Sequence, residues 1–376
     1  MPLRLRKEVQ TLPRRSALNA LAGRPTRIEA LAALREVLAE AGVENFALDA
    51  RLILCRAGEF SAEDLIRAPE RVLDEADLAR LRAMAARRTA REPLSRIFGA
   101  REFWGLPLTI GPGALDPRPE TETLVEATVR SFSARRQEPL RILDLGAGSG
   151  AVLCALLCEF PNAHGVAVDI SPAAAALSRV NLDGLGLASR SSVVVGRWNA
   201  SLGGRYDVIV SNPPYIRSGE IGRLPPEVRR YDPPAALDGG VDGLDAYRAL
   251  AEALGRLLES AGGRFFLEVG GGQARQVAAI LKAAGLGRLA FAHDLAGRAR
   301  VVHGPLDAKA TRFQQGSWRE AKKRLVLEIE SSSPVSASES REARGARDIS
   351  AIERLRLTKS REKRVDRDMC GHPASI

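Results

Sequence analysis

Four consecutive residues, Asn212-Pro213-Pro214-Tyr215, follow an apolar run that ends in Val210-Ser211. Their types suit work on a poor nucleophile, an amide or exocyclic amine nitrogen whose lone pair is delocalised into a π-system. The Asn212 side-chain oxygen and the Pro213 carbonyl can each accept one of its two N–H bonds. The NH₂ group is then held in a geometry that aims the lone pair at an incoming electrophile. Both prolines lock φ and stiffen the loop, and Tyr215 can lie against the flat face of an amide or a base. If the electrophile is an activated methyl group on a good leaving group, in-line positioning is nearly all that is required; proximity of that kind is worth roughly 7–11 kcal/mol. No strong base is needed beforehand, because the nitrogen becomes more acidic after transfer. The four histidines (His164, His293, His303, His372) form no cluster in the sequence and are read as structural or exposed. The plain alternative for the whole motif is a rigid turn.

A second constellation lies upstream. The run Arg141–Leu145 leads into Gly146-Ala147-Gly148-Ser149-Gly150 and then into an apolar stretch, Ala151–Glu159, with helical character. Glycines on a strand-to-helix turn let a ligand approach the backbone, and the helix N-terminus adds free N–H groups and partial positive charge. Asp169 ends the next apolar run, nineteen residues after Gly150, where a carboxylate can take both hydroxyls of a ribose. The alternatives are a tight turn without a ligand and a cap for a helix over Ser171–Leu177. Together the two features point to an adenosine-containing cofactor without saying which.

These residues need a scaffold. Apolar runs of four to seven residues at Arg141–Leu145, Gly165–Asp169, Ser192–Val195, Tyr206–Ser211, Gly263–Val269 and Leu289–His293 alternate with helical stretches, including Ala274–Ala284. That pattern predicts buried parallel strands in a doubly wound α/β sheet over residues 120–305. Residues 27–91 predict helices: apolar residues recur at three and four, as in Ile28, Leu31, Leu34 and Leu38, and Asp74 and Asp77 stand where caps or first-turn acids belong. Between them, residues 92–119 carry Gly, Pro and aromatics and predict a hairpin linker. Residues 1–26 are expected to be a basic extension rather than a transit peptide. Residues 306–376, rich in Ser and mixed charge, predict a disordered tail with a short helix near Ile349–Leu357.

The net charge of +10 sits in the ends: residues 1–27 carry +6 and residues 305–376 carry +5, which leaves −1 for everything between. A core without net positive charge argues against phosphate-backbone binding by the folded part. No apolar stretch approaches the roughly 20 residues that cross a bilayer. Cys55, Cys154, Cys158 and Cys370 show neither a disulfide framework nor metal-ligand spacing. Cys154 and Cys158 are expected in the core, no metal is expected, and the compartment is expected to be reducing and cytoplasmic.

Several further stretches stand in a fixed order: Gly99-Ala100-Arg101-Glu102-Phe103-Trp104, Pro117-Arg118-Pro119-Glu120-Thr121-Glu122, the glycine loop, Asp169, Trp198, Asn212–Tyr215, Tyr231-Asp232-Pro233, Gly239-Gly240-Val241-Asp242-Gly243-Leu244 and Glu268-Val269-Gly270. Over residues 30–304 the chain resembles the HemK-type release-factor glutamine N5-methyltransferases. The resemblance implies an α/β fold: a doubly wound, seven-stranded, Rossmann-like methyltransferase sheet behind a small all-helical N-terminal domain, joined by a β-hairpin linker. It implies S-adenosylmethionine as cofactor and, as substrate, the glutamine of the Gly-Gly-Gln motif in class I peptide-chain release factors. By that resemblance Gly146, Ala147, Gly148, Ser149 and Gly150 carry the methionine end of the cofactor, Asp169 the ribose, and Trp198 flanks the adenine. Asn212, Pro213, Pro214 and Tyr215 hold the glutamine amide, while Phe103 and the Pro117–Glu122 loop wall the methyl-transfer pocket. Trp198 and Phe103 have core packing as their alternative, and Arg118 and Glu122 a structural ion pair. Arg197 replaces an acid common in the family, and Asp232 replaces a Glu. The chain's own Gly271-Gly272-Gln273 is read as a turn. Rival functions are glutamine methylation of a ribosomal protein, adenine-N6 methylation of nucleic acid, and a degenerate binding module. A monomer is expected.

Overall fold

The computed structural model describes residues 23–198, 202–259 and 262–305. The expectations for the two ends, including the helix near Ile349–Leu357, Cys370 and His372, lie outside the described residues. The chain enters the fold at Pro25, whose carbonyl accepts from Leu73 N at 3.0 Å, and Thr26 bridges to Val72. Thr26 then caps α1 (Arg27–Glu40) in a reciprocal box with Glu29. The three-and-four spacing of Ala30, Leu31, Leu34 and Leu38 buries one face of α1 against α2 (Phe46–Ala57) and α4 (Glu75–Thr89). Ser61 caps the short α3 (Ala62–Arg67), and Asp74 caps α4 by accepting from Asp77 N at 2.8 Å. Residues 27–91 thus form the expected helices around one apolar cluster.

The segment 92–119 opens with a helix, α5 (Leu94–Phe98), before the hairpin β1 (Ala100–Phe103) and β2 (Leu106–Thr109). Trp104 sits at the hairpin turn with φ +54°. Its backbone N donates to Glu122 at 3.0 Å and its indole Nε1 to Glu159 at 2.8 Å, which fastens the hairpin to the following domain.

After α6 (Glu122–Ser131) come β3 (Arg141–Leu145), α7 (Ala151–Glu159), β4 (His164–Asp169), α8 (Pro172–Gly184), β5 (Ser191–Val195), β6 (Val208–Ser211), two short helices, α9 (Pro226–Tyr231) and α10 (Pro234–Leu237), α11 (Asp245–Leu257), β7 (Arg264–Glu268), α12 (Ala274–Ala283), β8 (Ala290–His293) and β9 (Ala299–Pro305). The strands form one sheet in the order β5-β4-β3-β6-β7-β9-β8; β3 to β7 are parallel and β9 runs antiparallel between β7 and β8. Strands buried on both faces read as continuous apolar runs, and here two separate clusters cover the two faces. One is built on α6 and α7, the other on α11 and α12.

The six runs expected as buried parallel strands all form strands, with ends shifted by a residue or two, but Leu289–His293 gives β8, which pairs antiparallel with β9 and is mostly exposed because it is the edge of the sheet. Tyr206 only bridges singly to Leu258, so β6 begins at Val208. The seventh strand, β9, was not among those runs. Cys154 is buried but Cys158 is exposed, because it lies in the last turn of α7 where the helix reaches solvent. His303 stacks on Phe266 with ring centroids 5.2 Å apart, a structural place.

This topology decides where a site can be. The chain winds outward from β3 through β4 to β5, then returns to place β6 on the other side of β3. The crevice at the C-terminal ends of β3 and β6 is the switch point at which such sheets hold ligands. Ser211 Oγ donates to Leu145 O at 2.6 Å and ties those two strand ends together.

Candidate active site

The glycine loop leaves β3 at this crevice and is held by backbone bonds. Gly146 N and Ala147 N both donate to Val168 O, at 2.8 and 3.0 Å. From α8, Ser178 Oγ donates to Gly148 O at 2.9 Å and Asn181 Nδ2 to Ser149 O at 2.9 Å. Asn181 also exchanges hydrogen bonds with the backbone of Thr109, so one side chain joins the loop to the hairpin linker. Gly148 has φ +58° and open space where a Cβ would stand, so its backbone can be approached closely. The first N–H groups of α7 follow immediately and are unpaired by helix geometry.

Asp169 stands at the end of β4 and braces the loop, while the cap of the next helix is Ser171 and not Asp169. Its Oδ1 accepts from Ser171 N and its Oδ2 from Gly148 N, each at 2.8 Å, while Ser171 itself caps α8. A carboxylate oxygen accepts more than one bond, so Asp169 braces the loop and still faces the cavity it lines.

That cavity measures about 260 Å³ and runs past Asp144, the glycine loop, Asp169, Ile170, Arg197, Trp198, Thr121, Asn212 and Pro214. The Trp198 ring lies against the loop: a Cβ on Gly146 would meet it at 3.3 Å. Ile170, half exposed beside Asp169, supplies a second apolar wall, a role the sequence reading did not give it. Asp144 lies next to last in β3. It is buried, and its Oδ2 has no hydrogen-bond partner among the described residues. Burial, reinforced by the neighbouring Asp169, pushes its carboxyl up to about 7. Flat apolar walls, a ribose-spaced carboxylate, reachable backbone and an acid with one unpartnered oxygen fit a cofactor that carries adenosine and positive charge.

The other wall is built from distant segments. Asn212 follows β6, and its Nδ2 donates to Thr121 Oγ1 at 3.1 Å. Thr121 closes a 3-10 turn, Pro119–Thr121, and is buried, as is Glu268 at the end of β7. Asn212 Oδ1 has no partner among the described residues. Pro213 is buried, and neither it nor Tyr215 lines the cavity. Tyr215 packs behind the loop, where burial pushes its phenol up to about 12.

The loop leaves through a clamp. Ile216 N donates to Leu237 O, and Gly239 N to Ile216 O. Gln273 Nε2 donates to Tyr215 O at 3.0 Å, so the Gly271–Gln273 turn, expected only as a turn, also supports the loop. Gly243, at φ +76°, lets that backbone pass: a Cβ there would stand 2.5 Å from Tyr215 O.

Two expectations are corrected. Arg118 pairs with Asp232 at 2.6 Å and not with Glu122, whose carboxylate instead accepts from Trp104 N. The buried Asp232 also takes Arg96 and Asp116 N, so it acts as the hub that fixes the Pro117–Glu122 loop. Phe103 is 1% exposed in the cluster of α6 and α7 and does not reach the cavity. Its hairpin register turns the side chain into the core, which leaves Thr121, Pro117 and residues 113–115 as the wall.

The helical N-terminal domain is tied to this wall. Glu227 of α9 takes Arg91 at 2.6 Å and Arg88 at 3.1 Å, and Arg88 continues to Asp49 at 2.7 Å. Tyr231 Oη donates to Ala90 O at 2.9 Å.

Comparison with known proteins gives the family. A family model described as the PrmC N-terminal domain matches residues 29–99, and one described as the methyltransferase small domain matches residues 121–223. A release factor glutamine methyltransferase of Rhodospirillum rubrum is 46% identical over 262 residues, covering 70% of this chain and 79% of that protein. One of Bradyrhizobium diazoefficiens is 47% identical over 251 residues, covering 66% and 84%. One of Cereibacter sphaeroides is 44% identical over 281 residues, covering 74% and 98%. With both domains matched and nearly the whole of a relative spanned, the chain belongs to the release factor glutamine methyltransferase family.

Proposed function

We propose that this chain methylates the side-chain amide nitrogen of a glutamine, the one in the Gly-Gly-Gln motif of class I peptide-chain release factors, with S-adenosylmethionine as donor. The observation that carries the proposal is Asn212: its amide nitrogen is taken by Thr121, and its oxygen is left to accept from an NH₂ group beside the glycine loop. When bound, the cofactor supplies a methyl group on a positively charged sulfur. The chain's own residues do the rest. The Gly146–Gly150 backbone takes the methionine end, Asp169 the ribose hydroxyls, and Trp198 and Ile170 the adenine faces. Asp144 offers negative charge beneath the cationic part. Asn212 Oδ1 and Pro213 O accept the two N–H bonds of the substrate amide, and Pro214 closes the wall beside them. Tyr215, fixed through its carbonyl by Gln273, keeps the loop from turning. No residue abstracts a proton before transfer.

A glutamine on a flexible loop gives few contacts, so recognition of the whole factor falls to a second surface, residues 27–91. The ion pairs of Glu227 hold that surface at a fixed distance from the site. The near-neutral charge of residues 28–304 supports a protein partner over nucleic acid, and a monomer in a reducing cytoplasm completes the proposal. The test is methyl transfer from labelled S-adenosylmethionine to purified release factor. Label that disappears when the factor's motif glutamine becomes Ala, and with Asn212→Ala in this chain, is the expected result. Label on a ribosomal protein or on DNA instead would overturn the substrate and keep the chemistry.

A further inference from the structure

The peptide units of the glycine loop can each be turned two ways, and only one way suits a cofactor with an amino-acid end. A peptide unit is planar and trans, so its carbonyl and its N–H point to opposite sides. Each unit along the cavity therefore offers it either a donor or an acceptor. The amino-acid end of S-adenosylmethionine carries a carboxylate, which needs donors. Two side chains of α8 hold the carbonyls back: Ser178 Oγ donates to Gly148 O and Asn181 Nδ2 to Ser149 O, each at 2.9 Å. Gly148 and Ser149 line the cavity, while Ser178 and Asn181 stand behind it. With Gly148 O turned to α8, the Ser149 N–H is left on the other side, where it has no acceptor among the described residues. Ser149 is only 3% exposed, and a buried N–H without an acceptor calls for a partner.

We infer that Asn181, assisted by Ser178, is a positioning residue of the cofactor site, which keeps the Ser149 carbonyl out of the cavity and leaves backbone donors to receive the carboxylate of S-adenosylmethionine. The inference rests on the cofactor reading of the glycine loop and is independent of the protein substrate. The two side chains carry unequal weight. Turning over the Gly148–Ser149 unit would push Ser149, whose φ is not positive, towards the left-handed region, and a side chain already resists that. Turning over the Ser149–Gly150 unit changes ψ at Ser149 and φ at Gly150. Gly150 stands at φ +79°, and glycine takes either sign with nearly equal ease. Two bonds oppose that turn, Gly150 N to Ala147 O at 2.8 Å and Asn181 to Ser149 O. Asn181 suits the task because its own orientation is fixed. Its Oδ1 accepts from Thr109 N at 2.8 Å, and its Nδ2 donates to Thr109 O at 3.1 Å as well as to Ser149 O. An amide turned over would set its oxygen against two carbonyls. Thr109 ends β2, so the hairpin linker holds the amide ready before any cofactor binds.

The experiment compares two ligands on the full chain by calorimetry: S-adenosylmethionine, and 5′-methylthioadenosine, which keeps the adenosine and lacks the amino-acid end. Asn181→Ala should weaken S-adenosylmethionine roughly 10- to 100-fold, the range for buried polar groups left unsatisfied. The same variant should change the affinity for 5′-methylthioadenosine by no more than about threefold. Ser178→Ala should show the same split with a smaller loss, roughly three- to tenfold for S-adenosylmethionine. A merely structural role would weaken both ligands together. Equal losses for the two ligands, or an unchanged affinity for S-adenosylmethionine, overturn the inference. Should Asn181→Ala fail to fold, the same comparison in Ser178→Ala decides it. A native chain that binds neither ligand would overturn the cofactor reading of the loop, and the inference with it. A chain that shows the split but labels no release factor would keep the inference and overturn the proposed substrate.

Discussion

The two walls of the cavity are made in different ways. The cofactor wall is nearly continuous in sequence: Asp144, the glycine loop and Asp169 lie within one strand–helix–strand unit, and its bonds run mostly to backbone. The substrate wall is assembled across the chain. Asn212 bonds Thr121, 91 residues earlier, and the loop is held by Gln273, 58 residues after Tyr215. The first wall carries its carboxylates in the cavity, and the second presents a neutral amide held from behind by Thr121. A cation is therefore attracted directly on one side, and a neutral amide is oriented by relay on the other. Backbone-built sites tolerate side-chain change better than relay-built ones, and substitutions can break or sharpen that contrast.

The largest effect should come from Asn212→Ala. One preorganised polar contact to the reacting group is worth roughly 10²–10³ in kcat, and here the cofactor wall is left intact. Single-turnover methylation should fall by that factor while cofactor affinity by calorimetry stays within about threefold. An equal loss in both would mean the two walls are not separable.

Gly243→Ala strikes the substrate wall through the backbone. The residue sits at φ +76°, and the new Cβ would press on Tyr215 O at 2.5 Å, a backbone atom that cannot swing aside. Left-handed conformation costs about 1–2 kcal/mol for a non-glycine residue, and the contact adds to it. A thermal shift several degrees downward and a fall in kcat larger than any change in cofactor affinity are expected. Loss of cofactor binding alone would place the strain on the wrong wall.

The same contrast explains what could be seen in the sequence. The glycine loop, Asp169 and the six apolar runs are local signals, since their spacing follows from strand and helix periods, and the structure places them where expected. The orientation of Arg118 was not legible, because its partner Asp232 lies 114 residues away and Glu122, four residues on, was the nearer acid. Phe103 beside Trp104 looked like an aromatic wall, yet only the hairpin register decides which face it takes. Gln273 and Thr121 stood in visible motifs without a visible task. Their partner, the Asn212 loop, reaches them only once β6 and β7 are adjacent. Asp144 had a local signal that went unused: an acid at the end of an otherwise apolar buried strand needs a reason to be there.

Asp169→Ala tests the cofactor wall. The change removes two backbone contacts as well as the proposed ribose contact, since Oδ1 and Oδ2 accept from Ser171 N and Gly148 N. Hydrogen bonds to a charged group contribute roughly 1.5–3 kcal/mol, so affinity for S-adenosylmethionine should drop about 10- to 100-fold. The rate at saturating cofactor should recover to within a few-fold of native. Failure to recover would show that the loop, and not only the ribose, depends on Asp169.

The smallest effect concerns Asp144 and gives the finest test. Its carboxyl is pushed up to about 7 by burial and by Asp169. The raised value means that the free protein binds a proton there below about pH 7, and that a cationic cofactor must displace it. Affinity should then rise as pH increases through about 7, by at most tenfold per unit for one proton, and level off above. The cofactor's own amine titrates in a nearby range, so the useful quantity is the difference between the native chain and Asp144→Asn. That difference should widen with pH and disappear below about pH 6, since both chains then present a neutral group. Calorimetry in two buffers of different ionisation enthalpy should also show the proton released on binding by the native chain and not by the variant. Parallel curves for the two chains would remove Asp144 from the electrostatics of the cofactor wall, and would leave Asp169 as its one carboxylate of consequence.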